Sequence, residues 1–87
     1  MIKVSRLEWL GQYRIRFLFS DGTGGEHDFS EMVAEEGAML LPLRDEEYFG
    51  RVFLDDGAPT WPNGFDMAPR WIQMELEARG ALRRVAA

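Results

Sequence analysis

The sequence predicts an α+β domain: a small, twisted antiparallel β-sheet that begins as a β-meander, with short helices and a C-terminal amphipathic helix. Residues 13–19 alternate apolar and polar side chains, which is typical of an antiparallel strand with one buried face. The segment 21–25, DGTGG, supplies the turn residues that follow such a strand. Near the end of the chain, Pro69 to Arg79 carries apolar residues at helical spacing and stops before Gly80.

The meander consists of three predicted strands at residues 2–10, 13–19 and about 25–29. A Gly11-Gln12 turn joins the first two strands. Because so short a connection cannot cross over a sheet, we expect this pair to be antiparallel.

Two short helices are predicted after the meander. Ser30 is a candidate N-cap for the first helix, and Gly37 ends it. Asp45 begins the second helix, where it and the two glutamates behind it complement the positive end of the helix dipole. Gly50 ends that helix.

A small hairpin is predicted next. Residues 51–54 have strand character, and Asp55-Asp56-Gly57 is a hairpin turn sequence. A last short strand then reaches Trp61.

Length and composition predict one domain, residues 1–80, followed by a short basic C-terminal tail, residues 81–87. The chain has 87 residues, of which 46% are hydrophobic, and it has no cysteine, which excludes disulfides and thiolate metal sites. A chain this short buries only about 60–65% of its unfolded surface. We therefore expect self-association, most simply a dimer, or a small protein partner to add stability.

The charge and hydropathy patterns argue against nucleic acid and membrane partners. The net charge is −5, whereas nucleic-acid binding depends on neutralising phosphates. Arg79, Arg83 and Arg84 are the exception and leave a nucleic-acid accessory protein as an alternative. The chain has no run of about 18 apolar residues and no leader pattern at its start, so a cytoplasmic location is expected.

Three aspartates offer a candidate cation site. Asp21, Asp28 and Asp66 could gather around a magnesium ion, which would make the protein a metal-dependent enzyme or a metal-binding protein. Their spacing has no metal-loop regularity, and each has a local role in a turn or cap, so no metal or cofactor is predicted. His27, the one histidine, is expected to be an ordinary strand residue because its neighbours point to the opposite face.

Methionine and tryptophan suggest a binding surface. On the C-terminal helix, Trp71, Met74 and Ala78 are predicted to share one stripe, with Ile72 and Leu76 beside it. So small a domain cannot bury every apolar position of this helix. A partner-binding groove would then be lined by adaptable side chains, and the candidates are Met32, Met39, Met67, Met74 and Trp71.

The segment WPNG, residues 61–64, predicts a corner between a strand and the last helix. Pro62, Asn63 and Gly64 suit the second, third and fourth positions of a turn, with Asn63 tolerating left-handed geometry. Trp61 is expected in the core with its indole N–H bonded to backbone. Asp66 is a candidate cap for the last helix, or an exposed edge that a partner contacts.

The motifs F-x-D-G (19–22) and W-P-N-G-x-D (61–66), together with YFGRV (48–52), resemble a family of small bacterial domains of unknown function. The resemblance covers about residues 2–75. It implies a small α+β fold and no known catalytic residues. Some relatives are fused to a helix-turn-helix and others lie beside a toxin-like partner. This chain has only ALRRVAA after Gly80, which does not match the fused form.

These observations predict a protein-interaction or regulatory module, and one form that such a module takes is the partner half of a two-component bacterial system. Catalytic activity is not expected, and no catalytic, cofactor or metal residues are assigned. The residues assigned to interaction or to the structural corner are Trp61, Pro62, Asn63, Gly64, Asp66, Trp71 and Met74.

Overall fold

A four-stranded antiparallel sheet is the largest element of the computed structural model, which describes residues 1–85. Its spatial order is β1-β2-β3-β6, so the first three strands form the expected meander. The strands are β1 (Val4–Trp9), β2 (Arg14–Phe19), β3 (Thr23–Asp28) and β6 (Arg83–Arg84).

Short helices and a two-stranded hairpin complete the α+β fold, which confirms the predicted class. The hairpin turns through Asp56 and Gly57, both with positive φ, as the Asp-Asp-Gly sequence predicts. In chain order the elements are α1 (Ser30–Val33), a 3-10 turn (Pro42–Arg44), α2 (Glu46–Phe49), β4 (Phe53–Asp55), β5 (Ala58–Thr60) and α3 (Pro69–Ala78).

Alternation along β2 places one face of the sheet in the core. Ile15, Phe17 and Phe19 are buried, while Arg14 and Arg16 are exposed on the opposite face and pair with Glu8 and Glu26 of the neighbouring strands. The buried apolar cluster consists of Val4, Ile15, Phe17, Phe19, Phe29, Val33, Leu40, Leu43, Phe49, Trp61, Met67, Ile72 and Leu76.

The segment predicted as a basic tail is part of the sheet as far as residue 85. Arg83 and Arg84 pair with Gly24 and Thr23 of β3, and Ala81 packs against the core. Gly25 permits this close approach, because a Cβ there would lie 2.4 Å from the Ala81 carbonyl oxygen. Residues 86 and 87 of the predicted tail lie outside the described residues.

The sequence predicts the N-cap residue of α2 correctly, but not that of α1. Asp45 caps α2 by accepting a hydrogen bond from the Glu47 backbone N–H at 3.3 Å, as predicted. The prediction that Ser30 caps the first helix is wrong, since Phe29 is the cap residue and has no side-chain cap bond. The Asp28 carboxylate instead accepts from the Ser30 backbone N–H at 2.8 Å.

A polar joint fixes α3 to the turn before β3. The Asp21 carboxylate accepts from the Thr23 hydroxyl at 2.6 Å, from its backbone N–H at 3.0 Å, and from the Gln73 amide at 2.9 Å. The Gln73 side-chain oxygen accepts from Arg70 at 2.5 Å. Gln73 is therefore a buried polar residue with its hydrogen bonds satisfied.

Replacing Asp21 should change how stability depends on pH. Hydrogen bonds from Thr23, and a weaker one from Gln73, hold the pKa of Asp21 below its usual 3.8. Because the folded pKa is depressed, the contribution is complete above pH 3.8 and is lost as the pH falls through the folded value. We expect the urea midpoint of Asp21→Asn to lie below the wild-type midpoint near neutral pH and to approach it in acid. A gap that stays constant from neutral to acid pH would contradict this.

Candidate protein-binding groove

The WPNG segment forms the predicted turn. Gly64 N–H donates to the Trp61 carbonyl at 2.9 Å, which places Pro62 and Asn63 at the two central positions. The left-handed residue is Gly64, with φ +90°, and not Asn63 as the sequence suggests. Only glycine adopts that conformation without cost, so the last position of the corner is the restricted one.

Asn63 uses its side chain to hold two loops together. Its amide donates to the Met39 carbonyl at 3.0 Å and accepts from the Phe65 backbone N–H at 3.1 Å. The side chain thus fixes the link before the 3-10 turn against the corner. Both ends of the Asn63 amide are engaged within the protein.

Trp61 is a core residue, as predicted. It has 0% exposure, and its indole N–H donates to the Phe49 carbonyl at 2.9 Å. Its ring packs against Phe49 and Phe65, at centroid distances of 5.3 and 5.7 Å. Trp61 therefore supports the site from beneath and offers no surface to a partner.

Asp66 does not cap the last helix. The cap residue of α3 is Ala68, without a side-chain bond, and Pro69 is the first helical residue. Asp66 forms a bridge with Thr60 through its backbone and leaves its side chain exposed. Asp66 also lines a groove.

The groove lies between α1 and α3 and has a volume of about 550 Å³. We call it the α1–α3 groove. Its lining residues come from β3, α1, the link after α1, the corner and α3, so it forms only when the chain is folded. The apolar residues that line it are Phe29, Met32, Leu40, Phe65, Met67, Ala68 and Trp71.

Carboxylates surround this apolar lining. Five acidic residues and one arginine, Arg79, line the α1–α3 groove. Within residues 1–85, only one of the five carboxylates forms an ion pair, at 3.6 Å between Glu75 and Arg79. The acidic residues are Asp28, Glu31, Glu35, Asp66 and Glu75.

Trp71 and Met74 lie on α3, but only Trp71 lines the groove. The stripe of Trp71, Met74 and Ala78 is exposed, and the buried face of α3 beside it is Ile72, Gln73 and Leu76. Trp71 is 43% exposed and Met74 is 53% exposed. The spacing of four residues from Trp71 to Glu75 places both on one face of the helix.

His27 lies against the groove and is almost completely enclosed. Its imidazole is 9% exposed and contacts Phe29 edge-to-face, with the ring centroids 4.5 Å apart. It makes no side-chain hydrogen bond with any residue in the described range. Burial, followed by the positive charge of Arg79, lowers the pKa of His27 below its usual 6.5, while Glu75, Asp28 and Glu31 oppose the shift.

The three aspartates of the candidate cation site have separate surroundings. Asp21 belongs to the Gln73 joint, whereas Asp28 and Asp66 line the groove. Across residues 1–85, no group of three or more histidine, aspartate or glutamate side chains is arranged to hold a metal ion.

The three C-terminal arginines do not lie together in the structure. Arg79 lines the α1–α3 groove, while Arg83 and Arg84 line a smaller one of about 310 Å³, together with Arg6 and Arg16. Arg84 donates to the Asp21 carbonyl at 3.0 Å. The second groove is thus lined by four of the ten basic residues, whereas the α1–α3 groove is lined by five of the fifteen acidic residues.

The sequence singles out Asp28 and Asp66 but not Glu31, Glu35 or Glu75, and it does not place His27 in the groove. The spacing of four residues along Trp71, Glu75 and Arg79 was the available indication of a shared face on α3, whereas Glu35 lies beyond the end of α1. That spacing could not show that this face and α1 line the same groove.

No helix in the described part of the chain is long and apolar enough to cross a membrane. Comparison of the chain with protein-family models, with curated proteins and with solved structures finds no match.

Proposed function

We propose that this protein is a protein-binding module whose α1–α3 groove takes an apolar segment of another protein that also carries positive charge. The observation that carries the proposal is the exposed Trp71 beside an apolar groove surrounded by five carboxylates. Tryptophan is enriched among the residues that dominate binding energy, and it adds a large rigid surface at low entropic cost.

Charge indicates the kind of partner. The carboxylates of Asp28, Glu31, Glu35 and Asp66 form no ion pair with any other residue in 1–85, so they are available to cations. Complementary charge steers encounter and excludes wrong partners. A segment with large apolar side chains next to lysine or arginine fits both the lining and its surroundings.

A partner of opposite charge is favoured over a second copy bound groove to groove. In a twofold dimer the same patch meets itself, so two sets of five carboxylates would face each other. The net charge of −5 adds further repulsion. The expected dimer would have to use another surface, and the mass in solution tests this separately.

Selection from a random peptide library displayed on phage tests the proposal. We expect the protein to enrich peptides that combine large apolar residues with lysine or arginine. Trp71→Ala should abolish this enrichment, while Met74→Ala, which removes another exposed side chain of α3 that lies outside the groove, should leave it unchanged. Enrichment of acidic peptides, or of peptides that bind Trp71→Ala equally well, would contradict the proposal.

A further inference from the structure

The lining of the α1–α3 groove combines an unpartnered imidazole, carboxylates and aromatic rings. His27 is 9% exposed and forms no side-chain hydrogen bond with residues 1–85. No buried side-chain nitrogen or oxygen in this range lacks a partner, so the unpaired imidazole nitrogens retain access to solvent. Because His27 also lines the α1–α3 groove, its ring is a mostly enclosed polar group beside the space that a ligand would occupy.

The charged groups that act on His27 all line the α1–α3 groove. Asp28 comes from β3, Glu31 from α1, and Glu75 and Arg79 from α3. Because burial lowers the pKa of His27, the imidazole is neutral at pH 7 and has one nitrogen that accepts a hydrogen bond. The site therefore offers an imidazole acceptor and several carboxylate acceptors to a cation.

A guanidinium suits these acceptors better than an ammonium. It is planar, has five N–H donors in fixed directions, is weakly hydrated and stacks on aromatic rings. Carboxylates bind it through two parallel hydrogen bonds, and tryptophan is the best aromatic partner for a cation. A lysine ammonium is a strongly hydrated point charge, so it would lose more hydration free energy than a guanidinium on entering the groove.

The protein's own Arg79 shows that a guanidinium is accommodated there. Its Nη2 lies 3.6 Å from a Glu75 carboxylate oxygen, and its charge acts on His27. The Arg79 side chain is nevertheless 53% exposed, and the contact is longer than a good charge-assisted hydrogen bond. Arg79 is thus held weakly where a better-placed guanidinium could replace it.

Resting on the proposed binding function, we infer that the partner anchors itself with an arginine, whose guanidinium displaces Arg79 and lies between His27, Glu75 and Trp71. Asp28 and Glu31 add further negative charge to the site. Arg79 then acts as an internal competitor that lowers the affinity for the partner.

The test uses the tightest basic peptide from the library selection, synthesised with arginine or with lysine at its basic positions, and isothermal titration calorimetry. We expect the lysine form to bind at least about tenfold more weakly. The His27→Phe variant keeps a ring against Phe29, and its affinities for the arginine and lysine forms of the peptide should differ much less. Arg79→Ala, an exposed change, should bind the arginine form more tightly than the wild type.

The possible results distinguish the arginine anchor from the binding function. Equal affinity of the two peptides for the wild type, or lost binding in Arg79→Ala, would overturn the arginine anchor while leaving the binding function in place. Failure of the selection to yield apolar basic peptides would instead overturn the binding function. The pKa of His27 lies below 6.5, and as the pH falls through it the imidazole becomes positively charged. The arginine form of the peptide should then bind the wild type less tightly, while its affinity for His27→Phe should stay unchanged.

Discussion

Trp61→Ala should remove most of the stability of this domain. The side chain is fully buried, packs against Phe49 and Phe65, and donates to a backbone carbonyl. Truncating a buried tryptophan to alanine costs about 3–5 kcal/mol. An 87-residue domain has a free energy of unfolding on the order of 5–10 kcal/mol, so we expect a large fall in the urea midpoint.

The Trp61→Phe variant separates the contribution of the indole hydrogen bond to stability from the contribution of the buried ring volume. The Phe49 carbonyl also accepts from the Val52 backbone N–H at 3.3 Å, so it keeps a partner when the indole is removed. We therefore expect a cost of only about 1–2 kcal/mol. Trp71→Ala is the matched control, since this tryptophan is 43% exposed and should cost less than about 1 kcal/mol. Equal losses for Trp61→Ala and Trp71→Ala would contradict the assignment of Trp61 to the core.

Reversing the charge beside the groove should abolish binding of the selected basic peptide. Glu31→Lys combined with Glu35→Lys replaces two attractive carboxylates by two repulsive ammonium groups. We expect affinity to fall by at least about thirtyfold, or 2 kcal/mol, at low ionic strength. Wild-type binding should weaken as salt is raised, because exposed charges are screened.

The control for that variant is Glu36→Lys combined with Glu77→Lys. Both glutamates are exposed, neither lines the groove, and the net charge changes by the same amount. If the two double variants lose affinity equally, net charge and not the α1–α3 groove governs the binding. Circular dichroism should show that both variants keep the fold, because all four positions are on the surface.

The sequence contained enough information for the strands because their pattern is local. Alternation in β2 depends only on neighbouring residues, and the Asp56-Gly57 turn depends on backbone preferences of its own residues. The fourth strand could not be predicted in this way. Arg83 and Arg84 form it by pairing with β3, some 60 residues earlier in the chain, and two arginines have no strand pattern.

The burial of Gln73 on α3 illustrates a second limit on what the sequence predicts. A helical stripe treats glutamine as exposed and tryptophan as buried. Gln73 is buried because Asp21 and Thr23, about 50 residues away, satisfy its amide. With Gln73 on the buried face, Trp71 lies on the exposed side of α3 and lines the groove. The sequence offered Trp71 as a binding candidate, but it could not place the carboxylates around it because they come from separate parts of the chain.

Observing the indole N–H resonances of the three tryptophans during a peptide titration tests the binding site most directly. Only Trp71 lines the groove, whereas Trp61 is buried with its N–H on Phe49 and the Trp9 N–H is bonded to the Gln12 carbonyl. In an NMR titration of the ¹⁵N-labelled protein with the selected basic peptide, we predict a saturating shift of the Trp71 resonance with the other two little changed. A shift of Trp9 with Trp71 unmoved would place binding elsewhere and contradict this account.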